Sequence, residues 1–404
     1  MRPHPHGADA ARGKVELADV FARHGAAFRS ANRLIPVQYR AIAAIEACRT
    51  ERLGGHVERC DACGALRYHY HSCRNRHCPK CQTLAKERWL QARHAELLPV
   101  PYFHLVFTLP HELNTLAQGN PRVLYALLFQ SVSDTLIEFG ANSRWLGGEI
   151  AATLVLHTWG QTLSQHLHLH CLVAGGALAS DGHWIRPRRG FLFPVKALSQ
   201  VFRGKFLAAL TRAFDSGRLK LAGATAPLAD PKAQHRFNVQ LRAKHWVVYA
   251  KQPFGGPQQV LDYLGRYTHR VAISNHRLVS VGDEQVRFRY KDYAHGNRRK
   301  VMRLDAHEFI RRFLSHVLPA GFMRIRHYGL IANRAKREKL AQARSALNYP
   351  AATATNEPES VAAFWQRVAS LDIHLCPHCH TGRMIVVAPI TAPPARAPPR
   401  PRSP

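Results

Sequence analysis

Residues 165–173 read Gln-His-Leu-His-Leu-His-Cys-Leu-Val, and this alternation predicts a β-strand with two unlike faces. Because every second side chain of a strand shares a face, the three histidines project together and the apolar residues between them project to the other side. Neutral imidazole is the most common metal ligand in proteins, so the stretch predicts a site for a divalent ion. Histidine alone does not separate zinc from manganese or magnesium. The candidate ligands are His166, His168 and His170.

A second motif lies downstream, where residues 257–269 predict a helix that begins after a Gly-Gly-Pro turn. Tyr263 and Tyr267 are four residues apart, so on a helix their hydroxyls lie on one face, one turn apart. Taken alone, such a pair is more typical of aromatic packing. Beside a histidine strand it predicts two nucleophiles, because a tyrosine oxygen can attack a phosphodiester that a metal ion polarises.

The charge of the chain indicates the kind of partner. Among 404 residues, 57 are Lys or Arg and 26 are Asp or Glu, which gives a formal net charge of +31. Nucleic acid is the partner predicted by such an excess, since each neutralised phosphate releases a condensed counterion. No apolar stretch approaches the roughly 18 residues of a membrane helix, and the polar N-terminus lacks the apolar core of a signal peptide. We therefore expect a cytoplasmic, nucleoid-associated protein.

The nine cysteines predict metal binding, because disulfides are rare in a reducing compartment. Two Cys-x-x-Cys turns predict one tetrahedral zinc site, which is structural because four thiolates leave no open position. A second zinc, or another choice of ligands, stays open in the same segment. A further Cys-x-x-Cys turn near the C-terminus predicts a small site of its own, a half-site or no site. The predicted zinc ligands are Cys60, Cys63, Cys78 and Cys81, and the additional candidates are Cys73, His77, Cys376 and Cys379.

Arginines next to these motifs are the candidate contacts for DNA phosphates. Arg74 and Arg76 lie within the cysteine segment, and Arg266 and Arg270 lie beside the tyrosines. The competing interpretation of each is a solvated surface charge.

Residue periodicity predicts an α+β fold with a mostly antiparallel sheet. Helices are expected within residues 14–51 and 83–98, and strands alternate with helices from residue 102 onward. The predicted parts are a flexible N-terminus at 1–13, a helical zinc-binding DNA-contact domain at 14–100, a catalytic domain at 101–330, a basic helical segment with the C-terminal Cys/His cluster at 331–388, and a disordered Pro/Arg tail at 389–404.

These motifs resemble those of a known family. Residues 72–82, Ser-Cys-Arg-Asn-Arg-His-Cys-Pro-Lys-Cys-Gln, closely resemble the N-terminal zinc domain of insertion sequence 91 family transposases. The paired histidines and the Tyr-x-x-x-Tyr pair are similar to those of HUH endonucleases with two tyrosines. Segments 102–110 and 324–329 also resemble this family, and the order of motifs agrees from about residue 15 to 335. Leu167 stands where family members often have proline.

The resemblance implies a helical zinc-binding domain followed by an HUH endonuclease domain. It implies a five-stranded antiparallel sheet with the metal-binding His168 and His170 on a central strand, and His166 as a nearby extra ligand. Tyr263 and Tyr267 would lie on a helix. The implied activity is rolling-circle transposition, in which single-stranded DNA is nicked and rejoined through a covalent 5′-phosphotyrosine. The implied cofactors are structural Zn²⁺ and catalytic Mg²⁺ or Mn²⁺.

Three other interpretations share part of this evidence. A plasmid replication initiator or relaxase would use the same chemistry, and the zinc segment argues against it. A non-catalytic zinc-dependent DNA-binding protein would need neither tyrosine. A metallohydrolase that activates water would cut DNA without a covalent protein adduct.

Overall fold

The computed structural model describes residues 15–188, 192–251, 259, 260, 265, 271–293, 295–349 and 359–393. Its centre is a five-stranded sheet in which all neighbouring strands are antiparallel. The strands in spatial order are β12 (Ile325–Gly329), β4 (Ala151–Trp159), β5 (Gln165–Ala174), β3 (Tyr102–Thr108) and β8 (Val248–Lys251). The histidine strand β5 occupies the middle position, and the predicted α+β class with an antiparallel sheet is confirmed.

One face of this sheet packs against two long helices, α5 (Pro121–Ala141) and α6 (Val195–Asp215). Leu167, Leu169 and Cys171 point into this core and are fully buried. The alternation of β5 therefore divides its side chains as predicted, and each fully buried leucine contributes about 1.5–3 kcal/mol. The remaining elements around this core are α4 (Asn114–Gly119), α7 (Pro231–Ala243), β6 (Ala177–Leu178) and β7 (Trp184–Ile185).

The opposite face carries the histidines at one end and a smaller apolar cluster at the other. Leu172 and Ala174 continue the histidine face along β5, where they pack in a cluster with Tyr102 of β3. Leu340 of α9 (Lys336–Ala346) and the buried Val260 belong to the same cluster. This apolar cluster covers the end of the face that lies beyond the histidines.

A second core joins the N-terminal helices to a small sheet from the middle of the chain. Phe21 packs edge to face on Phe313, with ring centroids 5.6 Å apart, and Phe288 packs on Phe309 at 5.7 Å. The helices predicted within residues 14–51 are confirmed. The elements of this core are α1 (Leu17–Ala31), α2 (Pro36–Ala47), β9 (Leu278–Val281), β10 (Gln285–Asp292), β11 (Arg298–Asp305) and α8 (Ala306–Leu314).

The third sheet brings the two ends of the described chain together. β1 (Gly55–Cys60) lies between β2 (Leu66–Tyr70) and β13 (Met384–Ile390), and it is antiparallel to both. The C-terminal segment thus adds a strand to the N-terminal unit. The domain boundaries as a whole stay a prediction, but the C-terminal cluster does not stand apart from the N-terminal part of the chain.

Several boundaries differ from the predictions. The predicted disordered tail begins too early at residue 389, because Pro389 and Ile390 belong to β13. Residues 1–14 and 394–404 lie outside the described part of the chain. β8 begins at Val248, because the buried Trp246 packs on α6 instead of joining the sheet. The remaining helices are α3 (Gln82–His94) and α10 (Val361–Ala369). In the described part of the chain, no helix is long and apolar enough to cross a membrane.

Candidate active site and metal centres

Three histidines converge on the face of the central sheet that is opposite α5 and α6. His168 and His170 come from β5, and His157 comes from the neighbouring strand β4, where it lies opposite His168. One ring nitrogen from each of the three lies within 4.8 Å of the other two. His157 and His168 are buried, whereas His170 is partly exposed. Three convergent imidazoles on adjacent strands form a set that can hold one metal ion.

Hydrogen bonds orient His168 within this group. Its Nδ1 lies 2.9 Å from the carbonyl oxygen of His166, and because a carbonyl only accepts, Nδ1 carries the proton. In this tautomer the ring lone pair of His168 lies on Nε2, which is 3.2 Å from Nε2 of His170. Fixing the tautomer in this way is how proteins prepare a metal-binding histidine.

His104 of β3 supports His170 from the side away from His168. Its Nε2 lies 3.0 Å from Nδ1 of His170, and the two rings are stacked with centroids 5.2 Å apart. Burial, with a smaller contribution from the charge of Lys251, lowers the pKa of His104 to about 3. His104 is therefore neutral and can accept a hydrogen bond from Nδ1–H of His170, in which case the ring lone pair of His170 lies on Nε2.

His157 is held by aromatic packing. Its ring stacks on Trp159 with centroids 4.7 Å apart. Behind Trp159, the buried His316 donates from Nε2 to the carbonyl of Leu163 at 3.0 Å and lies 3.2 Å from the hydroxyl of Thr158. Burial lowers the pKa of His316 to about 4. Trp159 and the neutral His316 therefore lie between the histidine site and the core that contains the N-terminal helices.

The histidine triad differs from the predicted one in one member. The ring of His166 neighbours that of His168, with centroids 4.8 Å apart, but it is exposed and lies outside the converging group. His157 occupies the third position instead. Its signal in the sequence is the strand 151–159, in which Thr153, Val155 and His157 share one face. That signal is visible only when β4 is known to pair with β5.

The predicted nucleophiles Tyr263 and Tyr267 lie outside the described residues, whereas Val260 and Gly265 are described. Val260 is fully buried in the apolar cluster that includes Leu172, on the same face of the sheet as the histidines. Gly265 approaches α3 so closely that a Cβ there would lie 2.9 Å from a methyl carbon of Leu90. The two described residues Val260 and Gly265 therefore lie beside the face of the sheet that carries the histidines.

The cysteines form two groups of four instead of the single predicted group. The predicted set of Cys60, Cys63, Cys78 and Cys81 is wrong as one site, because its two pairs lie in different groups. Sequence spacing suggested that neighbouring Cys-x-x-Cys turns face each other, whereas each turn is completed by cysteines from elsewhere in the chain. One group is Cys48, Cys73, Cys78 and Cys81, and the other is Cys60, Cys63, Cys376 and Cys379.

The first group lies where α2 ends and α3 begins. Cys48 follows the last residue of α2, and its sulfur lies 3.4 Å from that of Cys81 at the start of α3. Cys73 lies 3.6 Å from Cys81, which supports its candidacy as an additional ligand. His77 is not part of this group, because its Nε2 faces the backbone N–H of Leu318 at 3.4 Å. Burial lowers the pKa of His77 to about 3.

The predicted DNA-contact arginines have different surroundings. Arg74 is exposed. Arg76 instead donates hydrogen bonds to the carbonyls of Phe322 at 2.6 Å and Pro319 at 2.9 Å, so its guanidinium joins the cysteine segment to the main body. Arg266 and Arg270 lie outside the described residues.

Comparisons with known proteins agree with this architecture. Residues 20–109 match the family described as "Transposase zinc-binding domain", and residues 151–339 match the family described as "Putative transposase". The chain is 50% identical over 381 residues to "Putative transposase y4qJ" of Sinorhizobium fredii, which covers 93% of this chain and 96% of that protein. It is 28% identical to the transposase for insertion sequence element IS801 of Pseudomonas savastanoi pv. phaseolicola, over 74% of this chain and 71% of that protein.

A solved structure of the conjugative relaxase TrwC in complex with oriT DNA also matches, with 14% identity, over 62% of this chain and 73% of that one. The TM-score of this match is 0.23. The sequence relatives define the protein as a transposase with an N-terminal zinc-binding domain. The chain belongs to the insertion sequence 91 family of transposases.

Proposed function

We propose that this transposase nicks and rejoins single-stranded DNA through a covalent 5′-phosphotyrosine, as an HUH endonuclease with two tyrosines does in rolling-circle transposition. The observation that carries the proposal is the convergence of His157, His168 and His170 on one face of the central sheet. Two described residues near the tyrosines in the sequence, Val260 and Gly265, pack beside this same face.

The histidine group fits a divalent metal ion. Two nitrogens bound about 2.1 Å from one ion lie roughly 3.0–3.4 Å apart, and the Nε2 atoms of His168 and His170 are 3.2 Å apart. Imidazole donors suit transition-metal ions, so we expect Mn²⁺ to bind more tightly than Mg²⁺. A bound ion would polarise a non-bridging oxygen of the scissile phosphate and stabilise its developing charge.

The tyrosines supply the covalent chemistry. The phenolic oxygen of one tyrosine attacks the phosphorus and loses its proton, a P–O bond to the tyrosine forms, and the bond to the 3′ oxygen breaks. The released 3′ oxygen takes up a proton and becomes a hydroxyl. Since the phosphoester is conserved, a 3′-hydroxyl can attack the phosphotyrosine in the reverse sense and reseal a strand without ATP. Two tyrosines allow two DNA ends to be held in sequence.

A basic cavity of about 760 Å³ beside the edge strand β12 supports binding of single-stranded DNA. Among its lining residues, Trp89 offers an aromatic surface for stacking bases. The nearby carboxylate of Glu96 forms ion pairs with Arg93 and Lys336. Because this single negative charge faces several lining cations, the net charge of the cavity is positive. The cations that line the cavity are Arg93, Arg122, Arg326 and Lys336.

A covalent-adduct assay tests the proposal. Purified protein is incubated with Mn²⁺ or Mg²⁺ and labelled single-stranded DNA from the ends of the element, and the products are separated on a denaturing gel. We expect a protein–DNA band that depends on metal and is absent from His168→Ala/His170→Ala. Tyr263→Phe, Tyr267→Phe and the double variant establish which tyrosine is required.

The other outcomes separate the alternatives. Cleavage without an adduct would favour a metallohydrolase that activates water. DNA binding with neither cleavage nor adduct would favour a non-catalytic zinc-dependent DNA-binding protein. An adduct with plasmid origin strands but not with element ends would favour a replication initiator or relaxase.

A further inference from the structure

We propose that Cys60, Cys63, Cys376 and Cys379 bind a second zinc ion, which fastens the C-terminal segment to the N-terminal unit. We call these four residues the zinc clasp. The inference is independent of the nuclease chemistry. The zinc-binding family match ends at residue 109, so it assigns no role to Cys376 or Cys379.

The two halves of the clasp have the same local geometry. The N–H of Gly64 donates to the carbonyl of Cys60 at 3.1 Å, and the N–H of His380 donates to the carbonyl of Cys376 at 3.1 Å. Gly64 and His380 both follow the second cysteine of their turn, and both have positive φ angles, of 73° and 56°. Two equivalent Cys-x-x-Cys turns that face each other supply four sulfurs to one centre.

The sulfur distances fit tetrahedral zinc. Cys60 lies 3.7 Å from Cys379, and Cys63 lies 3.7 Å from Cys376, measured between Sγ atoms. Four sulfurs about 2.3 Å from one zinc ion are about 3.8 Å apart, whereas a disulfide requires about 2.05 Å. The arrangement therefore matches a shared ion and not a pair of disulfides.

Backbone amides surround the sulfurs. The N–H of Cys63 lies 3.4 Å from the sulfur of Cys60, that of His378 lies 3.4 Å from Cys376, and that of Gly382 lies 3.3 Å from Cys379. Such donors stabilise thiolates, the form that binds zinc. Gly382 is also sterically required, because a Cβ at this position would lie 2.4 Å from the sulfur of Cys60.

The clasp is continuous with other contacts between the two segments. β13 pairs with β1 along its length, and Cys60 lies opposite Met384. The guanidinium of Arg67 donates to the carbonyl of Ile373 at 2.7 Å, and Gln91 of α3 donates to the carboxylate of Glu359 at 2.8 Å. Zinc at the clasp would therefore hold the segment that contains α10 beside α3, the helix whose residues Trp89 and Arg93 line the basic cavity.

Zinc stoichiometry tests the clasp. We would measure bound zinc per chain in a His168→Ala/His170→Ala background, which removes the histidine site from the count. We expect two zinc ions per chain, and one in the same background with Cys376→Ser/Cys379→Ser or with Gly382→Ala, which keeps all the cysteines. The matched control His374→Ala/His378→Ala changes exposed neighbours in the same loop and retains two. One zinc in the parent protein, or two in the serine variant, would overturn the proposal.

A second measurement does not depend on how the variants fold. A protease recognition sequence is inserted within residues 350–358 of the full chain, and the cleaved protein is analysed by size-exclusion chromatography. The C-terminal fragment should elute with the body, separate after zinc chelation, and return when zinc is added. A fragment that stays with the body after zinc removal, or leaves it while two zinc ions remain bound, would contradict the clasp.

Discussion

His157 of β4 lies directly opposite His168 of β5, and the two rings meet edge to face with centroids 5.4 Å apart. This relationship places the third member of the histidine site on a neighbouring strand. Two histidines on one strand approach an ion from one side, whereas His157 adds a donor from an adjacent direction. The site therefore depends on the register between β4 and β5.

The first prediction separates His157 from His166. We expect His157→Ala to lower Mn²⁺ affinity by about 100-fold or more, because loss of a group that merely supports a ligand already costs roughly 10–100-fold. The exposed His166 lies outside the converging nitrogens, so His166→Ala should change affinity by less than about threefold. Isothermal titration calorimetry on the purified variants measures both. Equal effects of the two substitutions would contradict the triad.

The second prediction concerns His104. Because its Nε2 faces Nδ1 of His170, we expect His104→Leu to weaken Mn²⁺ binding by about 10–100-fold. His104→Gln keeps a hydrogen-bonding group and should recover part of the affinity. A leucine variant that is folded and binds Mn²⁺ normally would show that His104 has no part in orienting His170.

The sequence alone was sufficient for those parts of the fold that depend on local pattern. The alternation of residues 165–173 predicts a strand and assigns Leu167 and Leu169 to the core, and both assignments are confirmed. The third histidine was not predictable in this way, since its proximity depends on the pairing of two strands. Register between strands is set by the whole sheet and not by either strand alone.

The third prediction compares two arginines of the cysteine segment. Arg76 donates to two backbone carbonyls, so Arg76→Ala should destabilise the protein by roughly 1.5–3 kcal/mol, or about 3–10 °C in Tm. Arg74 is exposed, so Arg74→Ala should leave Tm unchanged. If Arg74 contacts a phosphate, its loss should reduce the salt dependence of DNA binding by about one counterion. Thermal unfolding and DNA titrations at several salt concentrations distinguish the two roles.

The fourth prediction is a pH dependence of stability. The pKa of His316 is lowered to about 4 in the fold, against about 6.5 when unfolded. Above about pH 6.5 the imidazole of His316 is neutral in both the folded and the unfolded protein. As the pH falls from about 6.5 toward about 4, the unfolded state binds a proton that the folded state does not, so stability falls by up to about 1.4 kcal/mol per pH unit.

His316→Gln tests this effect, because glutamine can replace hydrogen bonds to Thr158 and Leu163 without titrating. The variant should lose less stability than the parent between about pH 6.5 and pH 5, measured as the shift in denaturation midpoint. Equal shifts in the two proteins would show that His316 does not set this dependence. Comparison at each pH cancels any loss of zinc that is common to both.

The cysteine ligands show another limit of sequence reasoning. The spacing of Cys60-x-x-Cys63 and Cys78-x-x-Cys81 indicated metal binding, and the resemblance of residues 72–82 indicated the right family. The partners of each turn were not predictable, since Cys376 is more than 300 residues from Cys63 in the sequence. The pairing of β13 with β1 brings these distant segments together.

The most direct test of the central claim is to identify the residue that is joined to DNA. Trypsin should separate the two tyrosines, because cleavage after Lys251, Arg266 and Arg270 yields peptides 252–266 and 267–270. After reaction with Mn²⁺ and single-stranded element ends, mass spectrometry of the digested adduct should find a 5′-phosphonucleotide on Tyr263 or Tyr267. An adduct on any other residue, or cleaved DNA with no modified peptide, would contradict the account.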